Sequence, residues 1–223
     1  LDDADSGDLL ILHHPLDTRG GEPYGSWGEG VIPIPEPYLK KIRDRNVSVY
    51  ACHAPMDYNK EVGTNAAIVE ALGGHVIDDY MRFGNGNVCF LCAVDPISSE
   101  RLIDNLQFIF GVPYVDFAGN PAKLITRIGI LAGGGDNIEA MKQSEKRGAQ
   151  AYLSGEIHSR INNPKYRELY DNVEAFAKET SMALIGVSHA ASEFLVMKTQ
   201  MKDWLENRYN VSVKPIEEKK WWR

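Results

Sequence analysis

The chain has 223 residues, 43% of them hydrophobic, 25% charged and 9% aromatic, with a formal charge of −7 and a pI near 5.4. That length suits one large or two small domains with a well-developed core. The acidic balance argues against a dedicated nucleic-acid binder, and no run approaches the ~18–20 apolar residues of a membrane span.

In chain order, "DLLILHH" (8–14) reads as a short strand stopped by Pro15, which has no N–H to continue a ladder. The segment 17–37, "DTRGGEPYGSWGEGVIPIPEP", is Gly/Pro-rich and too long for a casual turn, which suggests a functional lid, an oligomer arm or a disordered stretch. "EPYLKKIRDRN" (36–46) follows as a helix and "VSVYACH" (47–53) as a strand. "NAAIVEALGG" (65–74) reads as a helix capped by Asn65 and stopped by Gly73 and Gly74. Two strands come next, "HVIDDYMRF" (75–83) and "NVCFLCAV" (87–94), then a helix over 98–111 with Ser98 or Ser99 as cap. The remainder alternates: strand 125–135, helix 136–148, strand 149–156, helix 164–181, strand 182–189 and one long amphipathic helix over 190–210. That last helix carries Phe194, Met197, Met201, Trp204 and Leu205 on one stripe. The alternation predicts an α/β or α+β fold in a single domain over 1–223. The terminal "EEKKWWR" reads as a solvated end.

Chemistry-bearing residues collect at strand ends. The first strand ends in His13-His14, and the second in His53 followed by Asp57. The strand 149–156 ends in Glu156 with His158 beyond, and 182–189 ends in His189 with Glu193 four residues on. Groups just past the carboxyl ends of strands gather along one edge of an α/β sheet. His189 and Glu193, at i and i+4 on a helix, share a face, whereas Pro55 makes 53–57 a turn. Each piece has an ordinary reading: a polar turn at His13-His14, an Asx turn at Asp57, a first-turn acid favoured by the helix dipole at Glu193. Their recurrence at separate strand ends points instead to a metal site. Imidazole with carboxylate suits Zn, Fe, Mn or Ni, and six donors are about right for two divalent ions that each keep an open position.

The remaining motifs are weaker. Glu156 and His158 are candidate catalytic proton carriers, with an exposed surface position the alternative for His158. His75 reads as a surface turn residue. "NVCFLCAV" contains C-x-x-C inside an apolar strand, so core packing is the favoured reading. Three cysteines, Cys52, Cys89 and Cys92, fit a reducing compartment, and cytoplasmic localisation is the expectation. "GILAGGGDN" (129–137) could cradle an anion at a helix start, though a tight strand-to-helix turn is the commoner explanation.

Taken together, "DLLILHHPL", "VYACHAPMDYNKEVGTNAAIVEALG", "GILAGGGDN…AQAYLSGEIHS" and "LIGVSHAASE" resemble, in order, the motifs of the Nif-three-like dinuclear metal proteins, the GTP cyclohydrolase 1 type 2 homologues. The likeness runs from about residue 8 to about residue 207. It implies a duplicated three-layer α/β/α fold, with His13, His14, His53, Asp57, His189 and Glu193 as ligands of two metal ions and Glu156 near the site. It further implies a toroidal homohexamer, a trimer of dimers. The chain departs from the pattern in three places: the segment before the His-His-Pro strand is short or missing, Ala190 stands where a tyrosine is usual, and "AGGG" replaces a Cys-Gly-Gly type of turn.

Two functions compete on this footing. One is a metal-dependent hydrolase acting on a nucleotide-like or other anionic small molecule. The other is a non-enzymatic metal-binding oligomer with a regulatory or partner-binding role, in which Tyr24 and Trp27 of the 17–37 loop form a partner surface. Nucleic-acid binding through an oligomeric ring is disfavoured by the charge.

Overall fold

The computed structural model describes residues 4–218 and 222. In chain order the elements are β1 Leu9–Leu12, β2 Asp17–Arg19, β3 Gly30–Ile32, α1 Glu36–Asp44, β4 Ser48–Ala51, α2 Ala54–Asp57, α3 Thr64–Ala71, β5 His75–Phe83, β6 Gly86–Ile97, α4 Ser99–Phe110, β7 Asp116–Gly119, β8 Ile125–Gly134, α5 Ile138–Lys146, β9 Ala151–Glu156, α6 Pro164–Ala177, β10 Ala183–Gly186, α7 His189–Lys198 and α8 Gln200–Tyr209. Among the described residues no helix is long and apolar enough to cross a membrane.

A six-stranded mixed sheet in the order β5-β6-β8-β9-β10-β7 forms the centre. Its β8-β9-β10 portion is parallel, so those three carboxyl ends lie along one edge. Helices cover both faces. On one, Ile68, Leu102, Leu106, Phe110 and Leu195 from α3, α4 and α7 bury against Phe90, Ile128, Ile130, Leu153 and Ile185. On the other, Met141, Val173 and Phe176 from α5 and α6 pack on Tyr80, Cys89, Leu91, Tyr152 and Leu184. This is the expected three-layer α/β/α arrangement. Alternating side-chain direction explains why β6 feeds both cores: Cys89 and Cys92, an odd step apart, belong to opposite faces. The C-x-x-C is therefore packing, as expected, and burial pushes the two thiols up to about 12 and about 11.

A second, two-stranded parallel sheet pairs β1 with β4 in register Leu9–Ser48 through Leu12–Ala51. It leaves Leu9, Val49 and Tyr50 exposed.

Several expectations are corrected. The 17–37 segment contains an antiparallel ribbon, β2 against β3, docked on residues 159–162. Gly28 N–H donates to Arg160 O at 2.7 Å, Gly21 N–H to Ser159 O at 3.0 Å, and Asn162 N–H to Gly28 O at 2.7 Å. The long final helix is broken at Thr199 (φ −120°, ψ −103°), whose hydroxyl donates to Leu195 O at 2.6 Å. That side-chain bond competes with the helix ladder, and it separates Met201, Trp204 and Leu205 from the Phe194–Met197 stretch. Asn65 does not cap α3, which starts at Thr64 behind Gly63. The segment after His53 is a single α-turn, α2, because Pro55 near a helix start loses no internal hydrogen bond. Trp222 is not solvated: it is buried and stacks on Tyr114 at 5.9 Å between ring centroids. Lys219, Lys220, Trp221 and Arg223 lie outside the described residues.

Candidate metal centre

β1 ends at Leu12, one residue before the histidine pair, so His13 and His14 are free of the alternation that would send them to opposite faces. Their rings meet edge to face at 4.9 Å. β4, parallel to β1, ends at Ala51 and delivers His53 to the same end, 4.8 Å from His13 and 4.6 Å from His14 between ring centroids. The α2 turn brings Asp57 round to His13, with Oδ1 at 3.3 Å from Nε2.

The other half comes from β10. After Gly186 the chain turns through Ser188, a buried residue held at φ 101°, and starts α7 at His189. Such a conformation in a non-glycine residue costs on the order of 1–3 kcal/mol and is retained where it aims a functional group. One helical turn later Glu193 faces the same way, its Oε1 at 3.0 Å from His189 Nε2. Glu193 also bonds His14 Nε2 at 2.9 Å, and its Oε1 stands 3.5 Å from His13 Nε2. All six residues singled out as ligands are thus brought together. Two triples, His13–His14–His53 and His14–His189–Glu193, each hold their donor atoms within 4.8 Å of one another.

The electrostatics are those of a cluster made for positive charge. Burial would neutralise Glu193, yet the imidazoles of His189, His14 and His13 outweigh it and hold the carboxyl well below the usual range. Burial likewise pulls His189 down, but Glu193 and Glu156 win and hold it well above its ordinary value. His53 is lowered by burial and by the charge of His13. His13 Nδ1 is buried without a partner, and Nε2, also buried, meets only the Asp57 and Glu193 carboxylates at 3.3 and 3.5 Å, without a well-formed hydrogen bond. Orphaned nitrogens of this kind are costly in a core and natural in a ligand. The donor set fits divalent metal ions.

Around the six stands a supporting shell that the sequence reading touched at Glu156 and at the "GILAGGGDN" turn. Its buried carboxylate accepts from His189 Nδ1 at 3.0 Å, the carboxylate–histidine pairing that fixes a ligand's tautomer and orientation. Thr64 donates to Asp57 Oδ1 at 3.0 Å. Ser192 Oγ accepts from Gly133 N–H at 2.8 Å. Ser159 donates to Asp136 at 2.8 Å, and burial pushes the Asp136 carboxyl up despite the charge of nearby His189. Threonine, serine and a helix-start aspartate are common turn residues, so only their neighbours in space mark them. The glycines of "AGGG" act by absence: a Cβ on Gly133 would fall 2.4 Å from Glu193 Oε1, and one on Gly135 would fall 1.9 Å from Ser154 Oγ. β8 ends at Gly134 and α5 starts at Ile138, so the segment is a short strand-to-helix turn, with Asn137 capping α5 by accepting from Ala140 N–H.

His158 lies elsewhere. It is buried, which removes the surface reading, and its contacts are Asp116, Glu174 and Tyr170, none of them in the cluster. His75, by contrast, is exposed, at the start of β5.

Comparison with known proteins follows the same lines. The family model described as Duf34/NIF3 (NGG1p interacting factor 3) matches residues 3–220. A Vibrio cholerae protein named GTP cyclohydrolase 1 type 2 homolog is 24% identical over 207 residues, covering 92% of this chain and 74% of its own length. A Deinococcus radiodurans protein of the same name is 28% identical over 180 residues, 77% of this chain and 59% of that protein. A solved structure described as protein ybgI, of unknown function, superposes with a TM-score of 0.72 at 19% identity, over 96% of this chain and 76% of its own.

Proposed function

The chain belongs to the Duf34/NIF3 family, and from that membership and the convergence of the six donors we propose that it is a dinuclear metal-dependent hydrolase acting on a nucleotide-like or other anionic small molecule. One observation carries the reading: four imidazoles and two carboxylates meet past the ends of β1, β4 and β10, with His13 Nδ1 buried and unpartnered. In this proposal His13, His14, His53, Asp57, His189 and Glu193 hold two ions of the Zn, Fe, Mn or Ni class. A metal pair supplies Lewis acidity and water activation at neutral pH.

The chain's own groups do the rest. Glu156 keeps His189 in the tautomer whose Nε2 faces Glu193, and Thr64 fixes the Asp57 carboxylate. Gly20, on the ribbon, sits so close to Glu156 that a Cβ there would fall 2.0 Å from Oε1, so the ribbon packs directly against that carboxylate. Glu156, buried and with its carboxyl raised by that burial, is the group suited to take and return a proton beside the cluster. His158 has no part in this scheme.

Assembly belongs to the same proposal. A homohexamer, a trimer of dimers, gives the exposed Leu9, Val49 and Tyr50 of the small sheet a surface to bury against. The three free cysteines suit a reducing, cytoplasmic setting. The test of activity is hydrolysis of a nucleotide and phosphoester panel by metal-loaded protein, beside a His53→Ala variant. Turnover that is lost in the variant is the expected result. No turnover on any substrate, with partner binding that depends on metal, would favour the non-enzymatic role.

A further inference from the structure

A second group of donors stands apart from the six. Asp116 opens β7, His158 follows β9 by two residues, and Glu174 lies on α6 one turn after Tyr170. His158 Nδ1 is 2.8 Å from Asp116 Oδ2, and both side chains are about 95% buried, with 6% and 5% exposed. An ionised carboxylate only accepts, so Nδ1 carries a hydrogen, while Nε2 either carries a second one, as an imidazolium between two carboxylates, or keeps a lone pair free to bind a cation. The ring is held in place by Tyr170, 4.6 Å away between centroids. Nε2 is buried and makes no hydrogen bond, yet Glu174 Oε1 lies only 3.3 Å from it.

With Nε2 unprotonated the two atoms are both acceptors, and their repulsion is relieved by a proton or by a metal ion held between them. Donors that each sit ~2.0–2.2 Å from one tetrahedral zinc ion stand roughly 3.3–3.5 Å apart. The observed separation matches. Asp116 occupies the position of the outer carboxylate that orients a ligating histidine. Glu174 is 44% exposed, so its side of the pair faces solvent.

We propose that His158 Nε2 and Glu174 Oε1 hold a further divalent cation of the zinc class, oriented by Asp116 and completed by water. With two protein donors this ion is weakly held and exchanges freely, unlike ions in the six-donor centre. The site owes nothing to that centre, and its test is independent of it.

The experiment is equilibrium dialysis of the chelator-treated full chain against increasing Zn²⁺, with zinc per chain read by elemental analysis. Glu174→Gln, at a half-exposed position that does not endanger folding, and His158→Gln are each expected to saturate one zinc per chain below wild type. Asp116→Asn should bind that ion about 10- to 100-fold more weakly while keeping the stoichiometry. In wild type, the His158 Nε2 resonance should shift on Zn²⁺ addition. Equal stoichiometry in wild type and Glu174→Gln would overturn the proposal, as would a His158 ring that stays an imidazolium at saturating zinc.

Discussion

Asn65 separates two accounts of the same residue by magnitude. As an exposed helix cap, its loss to alanine costs about 1 kcal/mol. In the fold it is fully buried and makes three hydrogen bonds: Nδ2 donates to Asp57 O at 3.0 Å and Val88 O at 2.8 Å, and Oδ1 accepts from Ala132 N–H at 2.8 Å. It thereby ties the turn bearing a candidate ligand to β6 and β8. Asn65→Ala removes three bonds of about 1 kcal/mol net each and strands buried backbone partners at about 1–3 kcal/mol apiece, so about 3–5 kcal/mol is expected after partial relaxation. A domain with a stability of about 5–15 kcal/mol survives that loss in a weakened state. Urea unfolding of the chelator-treated protein, followed by tryptophan fluorescence, reads it as a lower midpoint at unchanged slope. A loss near 1 kcal/mol would refute the buried-hub reasoning.

Other outcomes follow from the supporting shell. Glu156→Gln should leave the fold intact and weaken metal binding by about 10- to 100-fold, measured by competition with a chromophoric chelator; unchanged affinity would remove Glu156 from that shell. Gly20→Ala, which drives a Cβ against Glu156 Oε1, should weaken binding in the same direction, and an affinity equal to wild type would show that the ribbon yields without disturbing the carboxylate. Asp136 gives a pH signature. Burial raises its native pKa above the unfolded value, so the native state binds the proton more tightly and loses stability as pH rises from about 4 through the native pKa. In metal-free protein Asp136→Asn is therefore expected to be more stable than wild type at pH 7 and no more stable at pH 3, measured by thermal unfolding at both.

Much of the site is legible in the sequence because the signals are local. A β-rich run stopping at His13-His14 or at Cys52-His53 places the histidines just beyond a strand, and the four-residue step from His189 to Glu193 fixes a shared helix face. Parallel pairing then aligns the ends without further information. The rest depends on contacts distant in sequence. Asn65 acquires its role from Val88 and Ala132, and Thr64 from a carboxylate that a tight turn returns to it. The β2–β3 ribbon hides in a Gly/Pro-rich stretch because its partner is residues 159–162, and three-residue strands carry no periodicity to detect. β7 is four residues long and pairs antiparallel with β10 across more than sixty residues of chain, from Asp116 to Gly186. The break at Thr199 has no glycine or proline to announce it, only a hydroxyl that finds the carbonyl of Leu195.

The most direct test of the metal centre is elemental analysis of the full chain, purified without added metal and dialysed against metal-free buffer so that loosely held ions are lost. About two divalent ions per chain are predicted, falling well below that in Glu193→Gln and in His14→Ala, with chelation lowering thermal stability. Absence of metal, with stability unchanged by either chelator or added Zn²⁺, Mn²⁺, Fe²⁺ or Ni²⁺, would contradict it.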